Sequence, residues 1–381
     1  MAVTKLRALS LATLSSLLAW PTMASVLPVD RADVMHHSYS GGGVSIDGPA
    51  VQLRSKVGQD LSISGTYYVD TVSGASVDVV ATASAYSEKR KEQHVGVDYL
   101  AGNSLLSANV TQSKENDYQA KTVSFDLSHD TFGGLTTLSI GTALGSDTVG
   151  RNGDASFKDE VKRNNYRLGI SQIITAQWIM ALNAEINLDE GYLNNPYRQV
   201  RFVDPTAPLG YSYQREVYPR TRNAAALALV NKYYLPYRAA VTLTLRAYRD
   251  SWDIQSNDVE LSYVHPLPYR LTLEARLRHY SQSQANFYRD LFDYQSQLNF
   301  MARDKELSDF SDVTAGVGLT YKLPKFAALR QVEPEITVQY DRMQYRYNNF
   351  RDVRVRNVTP GSEPLYQLDA QVIRAFFSVY F

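Results

Sequence analysis

The chain has 381 residues, with 39 lysines and arginines balanced by 39 acidic side chains, so its formal charge is zero. That balance gives no electrostatic footprint for nucleic acid. The absence of cysteine excludes disulfides, thiol catalysis, zinc–thiolate centres and a lipoprotein anchor.

In chain order, the first feature is Lys5 and Arg7 ahead of an apolar run from Ala8 to Trp20, then Pro21 and Thr22-Met23-Ala24. A positive segment, a short apolar segment and small residues predict a signal peptide over 1–24, cleaved after Ala24. The remainder, 25–381, reads as one domain. It contains no stretch near the ~20 apolar residues of a membrane helix. Hydropathy is blind, however, to membrane strands, whose apolar residues are hidden by alternation.

Beyond Ala24 the chain alternates. "ADVMHHSYS" (32–40) predicts a first strand, with "GGGVSIDGP" (41–49) as the first outer loop. Fifteen further strands are expected near 51–57, 61–69, 93–100, 104–113, 119–128, 135–143, 164–173, 178–188, 223–233, 239–249, 257–264, 269–279, 312–321, 334–344 and 368–381. In "AVTLTLRAY" (240–248), Val241, Leu243, Leu245 and Ala247 share one face and Thr242, Thr244, Arg246 and Tyr248 the other. Short spacers such as "VGQD" (57–60) and "ITAQ" (174–177) take turns with long polar ones, about 71–92, 144–163, 189–222, 280–311 and 345–367. Short periplasmic turns and long outer loops are the layout of an outer-membrane barrel. The fold class is therefore all-β: a transmembrane antiparallel barrel of about sixteen strands, with fourteen and eighteen as the neighbouring counts. Tyrosine, at 27 residues, is in excess. Tyr67, Tyr99, Tyr166, Tyr233, Tyr234, Tyr263, Tyr269, Tyr321 and Tyr340 fall at strand ends, where aromatic girdles meet headgroups.

Several stretches also resemble one family. They are "HHSYSGGGVSIDGP" (36–49), "YYVDTVSGASVDVVATASAYSEKR" (67–90), "DTVGRNGD" (147–154), "YLNNPYRQVRFVD" (192–204), "REVYPRTR" (215–222), "YYLPYRAA" (233–240), "MARDKEL" (301–307) and "YNNFRDVR" (347–354). The chain is similar across nearly its whole mature length to DUF3570, a domain of unknown function of Gram-negative bacteria. The resemblance implies an outer-membrane barrel and transfers no catalytic residue. It also implies, through the flavin-transferring and thioredoxin-like proteins encoded beside members, a redox-linked envelope process.

With the apolar parity facing lipid, Asp126, Arg167, Glu185, Arg246, Glu260, Glu274, Arg276, Arg278, Asp341 and Arg374 are expected in the lumen. An inward Arg or Lys avoids the ~2–4 kcal/mol cost of the bilayer midplane. Arg246, Glu274, Arg276 and Arg374 are the candidates for setting electrostatic selectivity. A channel or transporter for a small polar solute is the first reading. A receptor, adhesin or structural partner of an envelope complex is the second. A lipase-type barrel enzyme is the third, resting on His36 and Ser38 sharing a face. No cofactor or metal is expected: adjacent His36 and His37 point apart, and "GSDTVGRNGDASFKDE" (145–160) lacks EF-hand spacing and reads as a flexible loop. "ARDKE" (302–306) reads as a solvated loop able to gate a pore. The outward Phe377, Val379 and Phe381 on the last strand resemble the signal read by the outer-membrane assembly machinery. Lipid and that machinery are the partners expected besides the solute.

Overall fold

The computed structural model describes residues 26–74, 86–324, 332–355 and 357–381. The expected signal peptide and its expected cleavage after Ala24 lie outside them. Sixteen strands close into one antiparallel barrel. They are β1 (Arg31–Gly41), β2 (Val44–Val57), β3 (Leu61–Gly74), β4 (Tyr86–Ala101), β5 (Ser104–Lys114), β6 (Tyr118–Thr131), β7 (Thr136–Arg151), β8 (Asp154–Thr175), β9 (Trp178–Gly191), β12 (Thr221–Tyr234), β13 (Ala240–Asp250), β14 (Gln255–Leu267), β15 (Leu271–Gln282), β16 (Phe310–Lys322), β17 (Glu333–Arg351) and β18 (Leu365–Tyr380). Each pairs with its sequence neighbour in the wall, and β1 pairs with β18, so the sheet has no free edge. Between β9 and β12, β10 (Gln199–Val203) and β11 (Tyr211–Arg215) form a separate hairpin.

The belt arises from the period of two. On β16, Val313, Val317, Leu319 and Tyr321 are exposed to the outside, while Asp312 and Thr314 are buried on the inside. Leu245 on β13, Val259 and Leu261 on β14, Leu277 on β15 and Phe377 on β18 continue that exposed band. Among the girdle tyrosines, Tyr67, Tyr99, Tyr166, Tyr233, Tyr234, Tyr269, Tyr321 and Tyr340 are exposed as expected. They do not account for the whole excess. Tyr218, Tyr288, Tyr345, Tyr347 and Tyr366 are buried inside the barrel mouth instead.

Above the belt, the pattern inverts. On β17 the outward residues pass from Ile336, Val338 and Tyr340 to Arg342, Gln344 and Arg346, while Met343, Tyr345 and Tyr347 turn inward and are buried. β18 does the same, with Gln367, Asp369 and Gln371 outside and Tyr366, Leu368, Ala370 and Val372 inside. The wall has left the membrane there: water or headgroups now meet its outer face, and an apolar interior packs against its inner one. A membrane crossing takes only about 9–11 residues, whereas β8 has 22 and β17 has 19.

This extension corrects two expected loops. Residues 41–49 are not a loop: Gly42 and Gly43, both at positive φ (60° and 80°), make a two-residue turn straight into β2. Gly48 and Pro49 have the composition of a loop but lie within β2, whose register with β3 is the same at Asp47↔Thr71 and at Ala50↔Tyr68. A Cβ on Gly48 would stand 1.8 Å from the Val69 carbonyl oxygen, so glycine is what fits against β3 there. Residues 144–163 are the tip of a β7–β8 hairpin turning at 152–153, not a flexible loop. Among the described residues, long connections remain at 192–220, 283–309 and 352–364, all at one end of the barrel, and the centre of the expected loop 71–92 lies outside the described residues.

Candidate functional site

The lumen wall carries ion pairs spanning strands. Asp126 on β6, Gly141 on β7 and Arg167 on β8 stand in one register row, as do Arg276 on β15, Gly316 on β16 and Asp341 on β17. In each row arginine reaches over the glycine to the carboxylate: Arg167–Asp126 at 2.7 Å and Arg276–Asp341 at 2.5 Å. A Cβ on Gly141 would stand 2.1 Å from Asp126 Oδ1, and one on Gly316 would stand 2.2 Å from Asp341 Oδ1. Glycine is therefore what opens the path for the pair.

The four candidates for selectivity are inward-facing as expected, but they are not four free charges. Arg246 pairs with Asp258 at 3.0 Å, and Asp258 also holds Arg278 at 3.0 Å. Arg276 and Arg374 (3.3 Å) converge on Asp341. Glu274 lies beside Gly318, its Oε2 3.6 Å from a Cβ built there, and forms no ion pair within 4.0 Å among the described residues. These groups keep partial contact with solvent inside the barrel: the side chains of Arg246 and Arg276 are 30% and 18% exposed.

Over the wall at the outer end lies a packed plug. Tyr218, Trp252, Phe287, Tyr288 and Leu307 from the connections meet Met343, Tyr345, Tyr347 and Phe350 of β17 and Tyr366 and Leu368 of β18. Val200 and Phe202 of β10 pack with Phe292 and Met301. Backbone bridges Phe202↔Phe292 and Val217↔Met301 join connection 192–220 to connection 283–309. At the centre is Arg201, fully buried. It donates to both oxygens of Glu363 (2.5 and 3.0 Å), to the Asp290 carbonyl at 2.9 Å and to the Asp290 carboxylate. Arg303 forms an ion pair with the same carboxylate at 2.9 Å, donates to the Asp290 carbonyl at 3.0 Å and stacks over Phe350. One guanidinium thereby ties three connections together. Burial opposes the charge on Glu363, but donation from Arg201 and from the Gly361 N–H outweighs it and holds this carboxyl below its usual range.

Other sequence expectations are placed differently. "ARDKE" is not solvated: Ala302, Arg303, Asp304 and Lys305 are buried in the plug. His36 is exposed on the outer side of β1, the same parity as Ser38, so the proposed serine–base pair does not face the lumen. His37 points inward and bonds Asp70 at 2.7 Å, with Tyr68 stacked on its ring. The acidic residues of 145–160 are not gathered: Asp147 pairs with Arg163, and Asp154 accepts from Ser156. A different group is gathered, and sequence spacing carries no sign of it. Glu88 on β4 and Glu115 and Asp117 in the β5–β6 turn bring carboxylate oxygens within 4.8 Å of one another. Burial, with Glu88 and Asp117 adding to it, pushes the Glu115 carboxyl up to about 8. Gly141, Gly316 and Arg201 were likewise missed, because their roles depend on register and on loop packing.

Solved barrels resemble the chain in fold. A bacterial polysaccharide outer membrane secretin is 8% identical, with 94% of this chain and 99% of that one covered and a TM-score of 0.47. Pseudomonas aeruginosa OccK2 (OpdF) in complex with glucuronate is 11% identical, covering 94% and 100% at 0.44. The Pseudomonas aeruginosa siderophore receptor PirA is 11% identical, covering 93% of this chain but only 63% of its own length at 0.43, so this chain spans less than two thirds of that receptor. No curated protein matches the sequence. The family described as "Protein of unknown function (DUF3570)" matches residues 79–167 and 155–348, from before β4 almost to the end of β17 and through two of the plug's connections, and the chain belongs to that family.

Proposed function

We propose that the protein is an outer-membrane channel of a Gram-negative bacterium, passing a small polar solute along a charged lumen beneath a closed outer mouth. The observation that carries this reading is the partial solvent contact of the inward charges: Arg246, Arg276, Arg167 and Asp126 keep 30%, 18%, 19% and 25% of their side-chain surface. A barrel filled by its own side chains would bury them, and a sixteen-strand wall is wide enough for an aqueous path. Arg246, Glu274, Arg276 and Arg374 act as the selective ring. The outward Phe377, Val379 and Phe381 supply the apolar edge that the assembly machinery reads. His36 and Ser38, on the outer parity of β1, lend no support to the lipase-type reading. The buried Arg201 network favours a second reading, a receptor whose ordered outer surface binds its ligand, because such rigidity suits recognition as well as closure.

Planar-bilayer recordings of the refolded full chain separate the two. For the channel, conductance is expected, and Arg246→Ala shifts its reversal potential toward cation preference by removing a positive charge and freeing part of Asp258. A barrel that stays silent in bilayers of varied composition, with its plug opened as well as closed, overturns the channel reading.

A further inference from the structure

The structure assigns a hard divalent cation, calcium in the first instance, to the rim site formed by Glu88, Glu115 and Asp117. The three side chains come from the outer end of β4 and from the β5–β6 turn, yet their carboxylate oxygens lie within 4.8 Å of each other. Glu88 and Glu115 are only 3% and 5% exposed. Three acidic groups that close repel one another, and a retained proton or a bound cation relieves the repulsion.

A second feature points at a ligand. Glu115 Oε1 is buried and has no hydrogen-bond partner, although its carboxylate reaches into the cluster. A buried polar atom without a partner is destabilising, and a metal would satisfy it. Arg90 is close but aims its guanidinium elsewhere, at Glu92 and, 3.7 Å away, at Asp70. The donor set is all oxygen, with no histidine or thiolate, which selects calcium over zinc or copper.

The surroundings hold the ligands in place. Glu88 accepts from the Asn116 N–H at 3.2 Å, and the Asp117 carbonyl accepts from the Gly150 N–H at 2.6 Å. The Tyr197 hydroxyl donates to Asp117 Oδ2 and accepts from the Asn152 N–H at 2.5 Å. A cation here would link the wall to the connection that carries β10 and β11, whether or not the lumen conducts.

Terbium is a suitable probe, because a tyrosine bonded to a ligand carboxylate can sensitise its luminescence. The refolded full chain in detergent is expected to give a terbium signal that calcium displaces. Glu115→Gln should weaken calcium binding by calorimetry at least tenfold, while Glu160→Gln, on the outer side of the β7–β8 hairpin, leaves it unchanged. Tyr197→Phe should lose most of the luminescence yet retain binding by calorimetry. The proposal is overturned if the parent shows no calcium heat and no calcium-displaceable signal, or if folded Glu115→Gln binds calcium as tightly as the parent. Should Glu115→Gln fail to fold, the parent's calorimetry together with Tyr197→Phe still decides.

Discussion

Gly316→Ala tests the claim that glycine opens a path for an ion pair across three strands. The added Cβ would stand 2.2 Å from Asp341 Oδ1 and 2.7 Å from Arg276 Nε. Arg276 Cγ would be 2.8 Å away as well. All three contacts are with side chains and none with backbone, so the wall would keep its hydrogen bonds while Arg276 swung aside and the pair parted. Arg276 gives Asp341 two hydrogen bonds, at 2.9 and 2.5 Å. Bonds to a charged group contribute roughly 1.5–3 kcal/mol each. Much of that is recovered here, because Arg276 already touches lumen solvent and Arg374 still holds Asp341 at 3.3 Å. Replacing glycine within a strand returns about 0.5–1 kcal/mol. The expected net loss is therefore about 1–2 kcal/mol, a roughly 5- to 30-fold change in the folded-to-unfolded ratio. Gly318→Ala is the matched control on the same strand. Its Cβ would meet Gln339 Cγ at 3.3 Å and Glu274 Cβ at 3.5 Å, contacts a small adjustment accommodates. Urea unfolding in lipid vesicles, monitored by tryptophan fluorescence, measures both. Equal destabilisation in the two variants, or none in Gly316→Ala, refutes the reasoning.

Arg201→Ala leaves Asp290 and Glu363 buried without their shared cation. Breaking a buried pair from one side costs about 3–5 kcal/mol, so connections 192–220 and 352–364 should become sensitive to protease added outside while the barrel stays folded. Acid should act on the same lock. Glu363 has a depressed folded pKa, so its contribution is complete above the unfolded value of about 4.3 and is lost as pH falls through the folded one. Bilayer conductance is accordingly expected to be flat from neutral pH down to the ordinary glutamate range and to rise only as pH falls below it, and a conductance that falls there contradicts the assignment. Leu261→Arg places a charge on the exposed apolar face of β14. At the midplane this costs about 2–4 kcal/mol, so the yield of heat-modifiable, membrane-inserted barrel should drop sharply, whereas Ser262→Arg on the lumen side should insert normally.

What could be read from the sequence depended on which solvent each face met. Inside the bilayer the phase of alternation is fixed by lipid, so Val241, Leu243 and Leu245 could be told from Thr242, Thr244 and Arg246 without coordinates, and sixteen crossings could be counted. The inward direction of Arg246, Glu274, Arg276 and Arg374 came from the same rule. Their partners did not: Arg276 and Asp341 are 65 positions apart, and only the register through Gly316 brings them together.

Above the bilayer the phase reverses, and that reversal explains the strands read as loops. "RMQYRYN" (342–348) alternates as strictly as any membrane strand, but its tyrosines face in and its arginines face out. Judged by polarity alone it resembles a loop. Judged by phase it is a strand whose apolar side has found something other than lipid. The occupant was already present in the sequence as stretches such as "YLNNPYRQVRFVD", "MARDKEL" and "YNNFRDVR", which supply Arg201, Arg303 and Phe350 to the same packed mouth. A reversal of phase along a membrane strand should therefore be read as a statement about the connections: where the inner face turns apolar, the loops must fold inward to cover it, because water would not.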